Sequence, residues 1–414
     1  MHRFLIFFTL ALAAPAAGEP LSWDACLAEA AAGNPDLEAA RAALAKARID
    51  RQAALSPFLP QLSGGADTSE NRTLGLGVSS REYGWSLSAR QNLFSGFRDY
   101  AGRSRTSAAL DSAQAGYEDA AARVTLELRR AFTALLYAQE QTVLTLEIAA
   151  RRRENARLVE LRYEAGREHR GSYLRSNASW KQAEFEVAQA KRALRVAQRE
   201  LLSVLGRGPF EVVAATGSLW AVEAPQGNPD FMELVRRTPV YRIAEAQVRS
   251  AQAGVTAADG RFYPDLDASV SLSRSGEQWP PEQPRRLSAG LSLSFPFFPG
   301  GGNFFGAASS RAERRRAQAD FLSAQYSSAL DLENAFAFYQ DAAERTAVQE
   351  QFLEAARVRA QIARSQYTSG LISFQEWDLI ENDLIASQKS WLSALRDAAN
   401  AQAAWDRVQG KGSL

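Results

Sequence analysis

Landmarks in this chain return at one fixed spacing. Pro35 of "NPDL" (Asn34 to Leu37) is followed by Pro239 of "TPVY" (Thr238 to Tyr241), 204 positions on. The same step of 204 joins Pro60 of "PFLP" to Pro264 of "RFYP", Gly96 to Gly300, Gly166 to Gly370, and Gly206 to Gly410. A long period of this kind marks a duplicated unit, and it decides the fold class before any single residue does. We therefore read residues 19–215 as a first repeat, 216–230 as a linker rich in turn residues, 231–410 as a second repeat, and 411–414 as a tail.

Within one unit the hydrophobic period changes twice. A helical segment begins at Asn34-Pro35 or Thr238-Pro239, with Leu44, Ala47 and Leu55 on its apolar face, and stops at the aromatic-x-Pro step. Strict alternation follows. Leu266, Ala268, Val270 and Leu272 alternate with polar residues, as do Leu287 through Phe295 and Tyr83 through Ala89; Leu62 to Glu70 is a weaker partner. A period of two gives a strand one apolar and one polar face, so each unit carries one hairpin. Next comes a helical pattern from about Arg98 to Tyr163, roughly 100 Å at the helical rise. Its residues Val124, Leu128, Ala131, Leu135 and Ala138 have coiled-coil spacing. A turn at Ala165-Gly166 then leads into a helix from about Ser172 to Leu205.

Between strand and long helix each unit turns a sharp corner, "LFSG" with Phe94 and Gly96, and "FFPGG" with Phe298 and Gly300. Glycine supplies the turn. The aromatics suit either a membrane boundary or a local core. Two hairpins make four amphipathic strands, and four strands leave open edges that lipid does not tolerate.

The N-terminus has the parts of a secretory signal, residues 1–18: Arg3, an apolar run Phe4 to Ala14, and the small residues Ala16-Ala17-Gly18. A membrane anchor is the alternative, although the run is shorter than the ~20 residues that span a bilayer. Cys26 is the single cysteine, so no intrachain disulfide forms. It is read as a buried small hydrophobe on the first helix, with lipidation as the other possibility.

The net charge of +1 offers no bulk attraction for nucleic acid. Beyond the signal, His169 is the one histidine. A single His and a single Cys cannot assemble a His/Cys metal cluster, and no Walker loop or nucleophile elbow occurs. No enzyme activity and no cofactor are expected.

The order and constant spacing of "NPDL", the aromatic-x-Pro steps, "LFSG"/"FFPGG" and the "YTSGLIS" of Tyr367 to Ser373 resemble the TolC-like outer-membrane efflux proteins, over essentially the whole mature chain. The resemblance implies a mainly α fold with a small β part. Long antiparallel coiled coils would form a periplasmic α-barrel, and four strands per protomer a 12-stranded outer-membrane β-barrel in a homotrimer. It also implies a conduit in the outer membrane, fed by a periplasmic adaptor and an inner-membrane pump, for small toxic compounds, metal ions or protein.

The adaptor would dock at the two helical tips, around Gly166 and Arg167 in the first and Gly370, Leu371, Ile372 and Ser373 in the second. The first tip departs from the family pattern through Arg167-Glu168-His169-Arg170-Gly171. Glu376 and Asp378 are candidates for an acidic entrance gate held by neighbours such as Arg167 or Arg170; a solvated helix start is the alternative reading. A soluble periplasmic coiled-coil protein, structural or adaptor-like, is the rival for the whole chain.

Overall fold

The structure, a computed structural model, describes residues 19–73, 78–208, 211–412 and 414. The expected signal segment lies outside the described residues. The described chain groups into two compact units that cut across the sequence repeats. One comprises residues up to Glu38, Glu118–Val235 and Ala329–Leu414; the other comprises Ala39–Tyr117 and Arg236–Ser328.

In chain order the elements are β1 (Glu19–Leu21), α1 (Trp23–Gly33), α2 (Pro35–Ala53), β2 (Gln61–Thr73), β3 (Val78–Phe94), α3 (Arg98–Glu164), α4 (Arg170–Leu205) and β4 (Val213–Ala215). They continue with α5 (Phe231–Arg237), α6 (Pro239–Asp259), β5 (Asp265–Gly276), β6 (Arg286–Ser294), α7 (Gly302–Ser369) and α8 (Phe374–Val408).

The unit containing the sheet has four antiparallel strands in the order β2-β3-β5-β6. Register keeps the alternation coherent. Leu62 faces Ala89, Leu87 faces Leu272, and Ala268 faces Leu291 on the apolar side. Ser88 lies across from Ser63 on one side and Ser271 on the other, on the polar face. Ser63 and Ser88 share a hydroxyl hydrogen bond of 2.7 Å. Across the middle of the sheet Arg90 pairs with Asp267 at 3.0 Å.

The two hairpins have the same register at the repeat spacing. Gln61 pairs with Arg90, and Asp265, 204 positions on, pairs with Ser294, also 204 positions on. Phe295, expected to extend the last strand, falls just beyond β6, where Pro296 removes a ladder donor.

The two corners differ in surroundings. Gly96 and Gly300 both have positive φ, 62° and 61°. A Cβ on Gly96 would collide with the Gly260 carbonyl, whereas one on Gly300 meets nothing within 4 Å. Phe94 packs edge-on against Phe97, and Phe97 against Tyr263. Phe298 is 80% exposed.

Helix boundaries follow local chemistry. The first helix divides at Asn34, whose Oδ1 accepts from the backbone N–H groups of Asp36 and Leu37 and so caps α2. Its Nδ2 donates to the Val204 carbonyl at 2.8 Å, which ties "NPDL" to the end of α4. In the second half Thr238 caps α6 through its hydroxyl, accepting from Tyr241. Leu44 is buried, but Leu55 is 42% exposed and does not join the apolar face expected of it. It follows the last turn of α2, so the helical period no longer governs where it points.

The other unit is helical. On α3, Val124, Ala131, Ala138, Thr145, Arg152 and Val159 recur every seven residues and are all buried. On α4, Ser176, Ala183, Ala190 and Ala197 do the same, and their small side chains let neighbouring backbones approach. One core gathers Leu128, Leu135, Leu201, Leu205, Val213 and Leu395 around Cys26. Cys26 is fully buried on α1, and the β1 strand before it pairs in parallel with β4. Both observations suit the structural reading of Cys26. Burial, and then the nearby Glu29 carboxylate, push its thiol up to about 11. No helix among the described residues is long and apolar enough to cross a membrane.

Candidate functional site

The two helical reversals, α3 to α4 and α7 to α8, belong to the helical unit and are built alike. At the first, Gly166 takes φ 68° and donates to the Tyr163 carbonyl, while the Arg167 N–H reaches back to the Arg162 carbonyl at 2.8 Å. At the second, Gly370 takes φ 81° and donates to Tyr367, and the Leu371 N–H reaches the Gln366 carbonyl at 2.8 Å. Paired bonds of this kind satisfy the last carbonyls of a helix and need a left-handed residue, here glycine.

The helices that follow are capped differently. His169 accepts the Ser172 N–H on Nδ1 at 3.2 Å, and Ser373 accepts the Glu376 N–H on its hydroxyl at 3.2 Å. The lone histidine beyond the signal segment thus serves as a helix cap.

The reversals are joined through Tyr367. This residue is 1% exposed and stacks on Trp377 with ring centres 4.3 Å apart. Its hydroxyl donates to Glu168 of the first tip at 3.0 Å. Arg162 donates to the Tyr367 carbonyl at 2.8 Å, and its guanidinium lies 4.6 Å from the centre of the Tyr367 ring. Phe374, Ile380, Leu384 and Val159 complete the apolar packing beneath. The residues named from sequence at these turns stay near the surface: Arg167, Gly370, Leu371 and Ser373 are exposed, and Ile372 is half-buried.

The two candidate gate acids are separated. Glu376 lies exposed in the first turn of α8, where a carboxylate also favours the helix dipole. Asp378 turns inward. Arg152 of α3 donates to it at 3.3 Å, and Arg175 of α4 lies 3.6 Å away. These are the basic partners of Asp378, in place of the expected Arg167 or Arg170. Those two arginines sit at the turn itself, whereas Asp378 lies one helical turn further into α8, level with Arg152 and Arg175.

Arg152 also donates to Asn382, and Asn155 donates to the buried Glu381 at 3.3 Å. Further along, Lys389 pairs with Glu186 at 2.7 Å. A polar seam therefore runs between α3, α4 and α8. Beside it a cleft of about 510 Å³ opens between His169, Ser172 and Arg175 on one side and Phe374, Asp378 and Asn382 on the other. Sequence reasoning missed Arg152, although stepping by sevens from Val124 lands on it. Among the described residues no cluster of three His, Cys, Asp or Glu side chains is arranged to hold a metal.

Comparison with known proteins agrees with this architecture. The profile of the family described as "Outer membrane efflux protein" matches residues 26–207 and 233–411. The fusaric acid resistance protein FusA of Burkholderia cepacia is 28% identical over 295 residues, 67% of this chain but only 56% of that protein. The cation efflux system protein CusC of Escherichia coli K12 is 23% identical over 384 residues, covering 88% of this chain and 81% of CusC. Among solved structures, the outer-membrane channel OprN superimposes with a TM-score of 0.80 at 24% identity, covering 94% of this chain and 90% of OprN. With both halves of the sequence matched by the profile and the fold shared with such a channel, the chain belongs to the outer membrane efflux protein family.

Proposed function

We propose that the chain is the outer-membrane component of a tripartite efflux or secretion system. It works as a homotrimeric conduit that receives substrate from an inner-membrane pump through a periplasmic adaptor. The observation that carries this reading is the sheet. Four strands have one apolar and one polar face, and among the described residues β2 and β6 each pair on one side only. Unpaired peptide groups at those edges cost several kcal/mol each in hydrocarbon, so the sheet must close, and one copy is too small to close it. Three copies supply twelve strands, with apolar faces toward lipid and polar faces toward water.

Passage in this reading is governed at the tips. The turn residues Gly166, Arg167, Gly370, Leu371, Ile372 and Ser373 form the adaptor-facing surface; Leu371 is 75% exposed there. Glu376 is the gate acid, because it is free to face a shared entrance, and Asp378 holds α8 against α3 and α4. FusA and CusC are named for different cargoes, fusaric acid and cations. We therefore assign cargo selection to the pump and not to this chain.

The test is to extract the protein from outer membranes, weigh it by native mass spectrometry, and add it to planar bilayers. A trimer with stable conductance is expected. A monomer that stays soluble without detergent would remove the reading.

A further inference from the structure

We infer that the loop between β5 and β6 is an interfacial anchor. It lies on the outward, apolar face of the sheet and seats Trp279 in the headgroup layer of the outer leaflet, leaving the mouth of the conduit uncovered. The inference rests on the lipid-embedded sheet proposed above, and adds where the hydrocarbon ends on that sheet and which segment meets the limit.

The loop joins the ends of β5 and β6 that lie away from the helices. Alternation tells which face it covers. On β5 the positions Leu266, Ala268, Val270 and Leu272 are outward, and Arg274 and Gly276 continue that set. A Cβ on Gly276 would therefore point outward, and it would strike the backbone of Pro281 and Glu282. Pro281 is buried there. On β3 the outward set is Tyr83, Trp85, Leu87 and Ala89, and the Trp279 ring centre lies 6.5 Å from that of Tyr83. The chain thus leaves β5 and folds back over the outward side, and not across the polar side that faces the pore.

Hydrogen bonds hold the loop in this place. Arg274 donates through Nε to the Gln283 carbonyl at 2.7 Å and through Nη2 to the Glu282 carbonyl at 3.1 Å. The Gln283 N–H returns to the Ser275 carbonyl at 3.2 Å. An outward arginine is costly at the bilayer midplane and nearly free of cost at the interface.

Polarity on the outward face changes at the same level. On one side of it lie Trp85, Leu87, Leu272 and Leu287. Beyond Tyr83 the outward positions of β2 and β3 carry Glu70 and Arg81, paired at 2.9 Å. From Leu266 to Gly276 the strand covers roughly 33 Å, or about 25 Å of membrane depth at the usual barrel tilt, which is the height of an outward apolar band. Trp279 is 62% exposed at the upper limit of this band, with Glu277 and Gln278 exposed beside it. A large amphipathic ring among polar neighbours suits the headgroup layer better than hydrocarbon or bulk water.

Lipid-borne quenchers test the placement. Full-length Trp279→Cys is labelled with bimane and reconstituted in vesicles of phosphatidylethanolamine and phosphatidylglycerol. The vesicles carry a nitroxide lipid labelled either on the headgroup or at mid-chain. Gln278→Cys reads the same level without removing the indole, and Leu291→Cys marks the middle of the apolar band. The native Cys26 is buried and stays in place.

The labels at 278 and 279 are expected to lose more emission to the headgroup nitroxide than to the mid-chain one, and the label at 291 the reverse. Single-channel conductance is expected to be the same before and after labelling at 279. Stronger mid-chain quenching at 278 and 279, or no quenching there while 291 is quenched, would overturn the anchor and leave the conduit standing. A fall in conductance on labelling would place the loop over the mouth and overturn it too. No quenching at 291 would overturn both the anchor and the lipid-embedded sheet.

Discussion

The Tyr367 hydroxyl donates to a carboxylate oxygen of Glu168 at 3.0 Å, so a residue at the end of α7 is tied to the turn between α3 and α4. Burial, and then the Glu168 hydrogen bond and charge, hold the phenol well above its ordinary range. It therefore keeps its proton in alkaline solution where an exposed tyrosine ionises. The hydrogen bond is to a charged group and is worth roughly 1.5–3 kcal/mol. Tyr367→Phe keeps the ring stack on Trp377 and removes only this tie. If the tie helps hold the tips closed, the variant should show at least a ~10-fold rise in spontaneous open time in single-channel records. Unchanged gating with a lowered melting temperature would show that the tie is structural alone.

Arg152 and Asp378 give a second prediction, one that separates gate from scaffold. Their side chains are 8% and 12% exposed. Removing one member of a buried pair strands the other charge, at a cost of about 3–5 kcal/mol. Arg152→Ala should therefore lower thermal stability strongly, and Asp378→Asn should lower it less because the amide keeps one acceptor. Glu376→Gln should leave stability within about 0.5 kcal/mol, as surface changes do. It should instead alter single-channel conductance or block by divalent cations. Equal effects of Glu376→Gln and Asp378→Asn on both readouts would refute the division of roles.

These examples show what could be read from the sequence. The helix, hairpin, long helix and helix of each unit were legible, because periods of two and of three and a half are properties of neighbouring residues; the short pair β1–β4 and the break at Asn34 were not. The turn glycines were legible for the same reason, since Gly166 and Gly370 each end a helix in a left-handed conformation. What sat opposite Asp378 was not legible. Arg152 lies 226 residues away on another helix, and nothing local distinguishes it from the half-buried Arg151 and the exposed Arg153 beside it. Only the heptad register, carried far beyond the leucine-rich stretch, marks it as a core position. The division into compact units was hidden too, because α3 and α7 each run from one unit into the other and no composition shift marks the crossing.

Cys26 supplies a third prediction. Its thiol is fully buried and held at about 11, so little thiolate exists at neutral pH and little of it is reachable. A maleimide should fail to label the folded protein and should label it fully in denaturant. Intact mass of the mature protein should show an unmodified cysteine. An acylated Cys26, or rapid labelling of the folded form, would contradict the buried placement on α1.

The paired corners give a fourth. Gly96→Ala combines a left-handed backbone with a collision against the Gly260 carbonyl, and should cost more than the ~1–2 kcal/mol of the conformation alone. Gly300 has the same conformation in open space, so Gly300→Ala should cost the protomer only the ~1–2 kcal/mol of the conformation. Equal yields of folded protomer for the two variants would show that the Gly96 contact carries no weight.

Acid response is the fifth, and two carboxylates on the helical unit should act in opposite senses. Burial opposes ionisation of Glu186, but its bonds to Lys389 and Gln182 outweigh that and leave its pKa below the ordinary value. A depressed carboxylate contributes stability that is present above its unfolded pKa, about 4.3, and is lost as pH falls through the lower folded value. Asp406 is the reverse: burial holds its pKa up against the nearby Lys411 and Arg129. Its ionised form therefore costs stability above its unfolded pKa, about 3.9, and the cost disappears below it. Asp406→Asn should raise the melting temperature at pH 7, by the equivalent of up to about 1 kcal/mol, and the gain should close as pH falls below 4. Lys389→Gln should lower stability at pH 7 by a similar amount, with its deficit also closing in acid as Glu186 protonates. Melting curves of the three proteins from pH 3 to 7 read both effects at once. A gain from Asp406→Asn that grew on acidification would reverse the assignment.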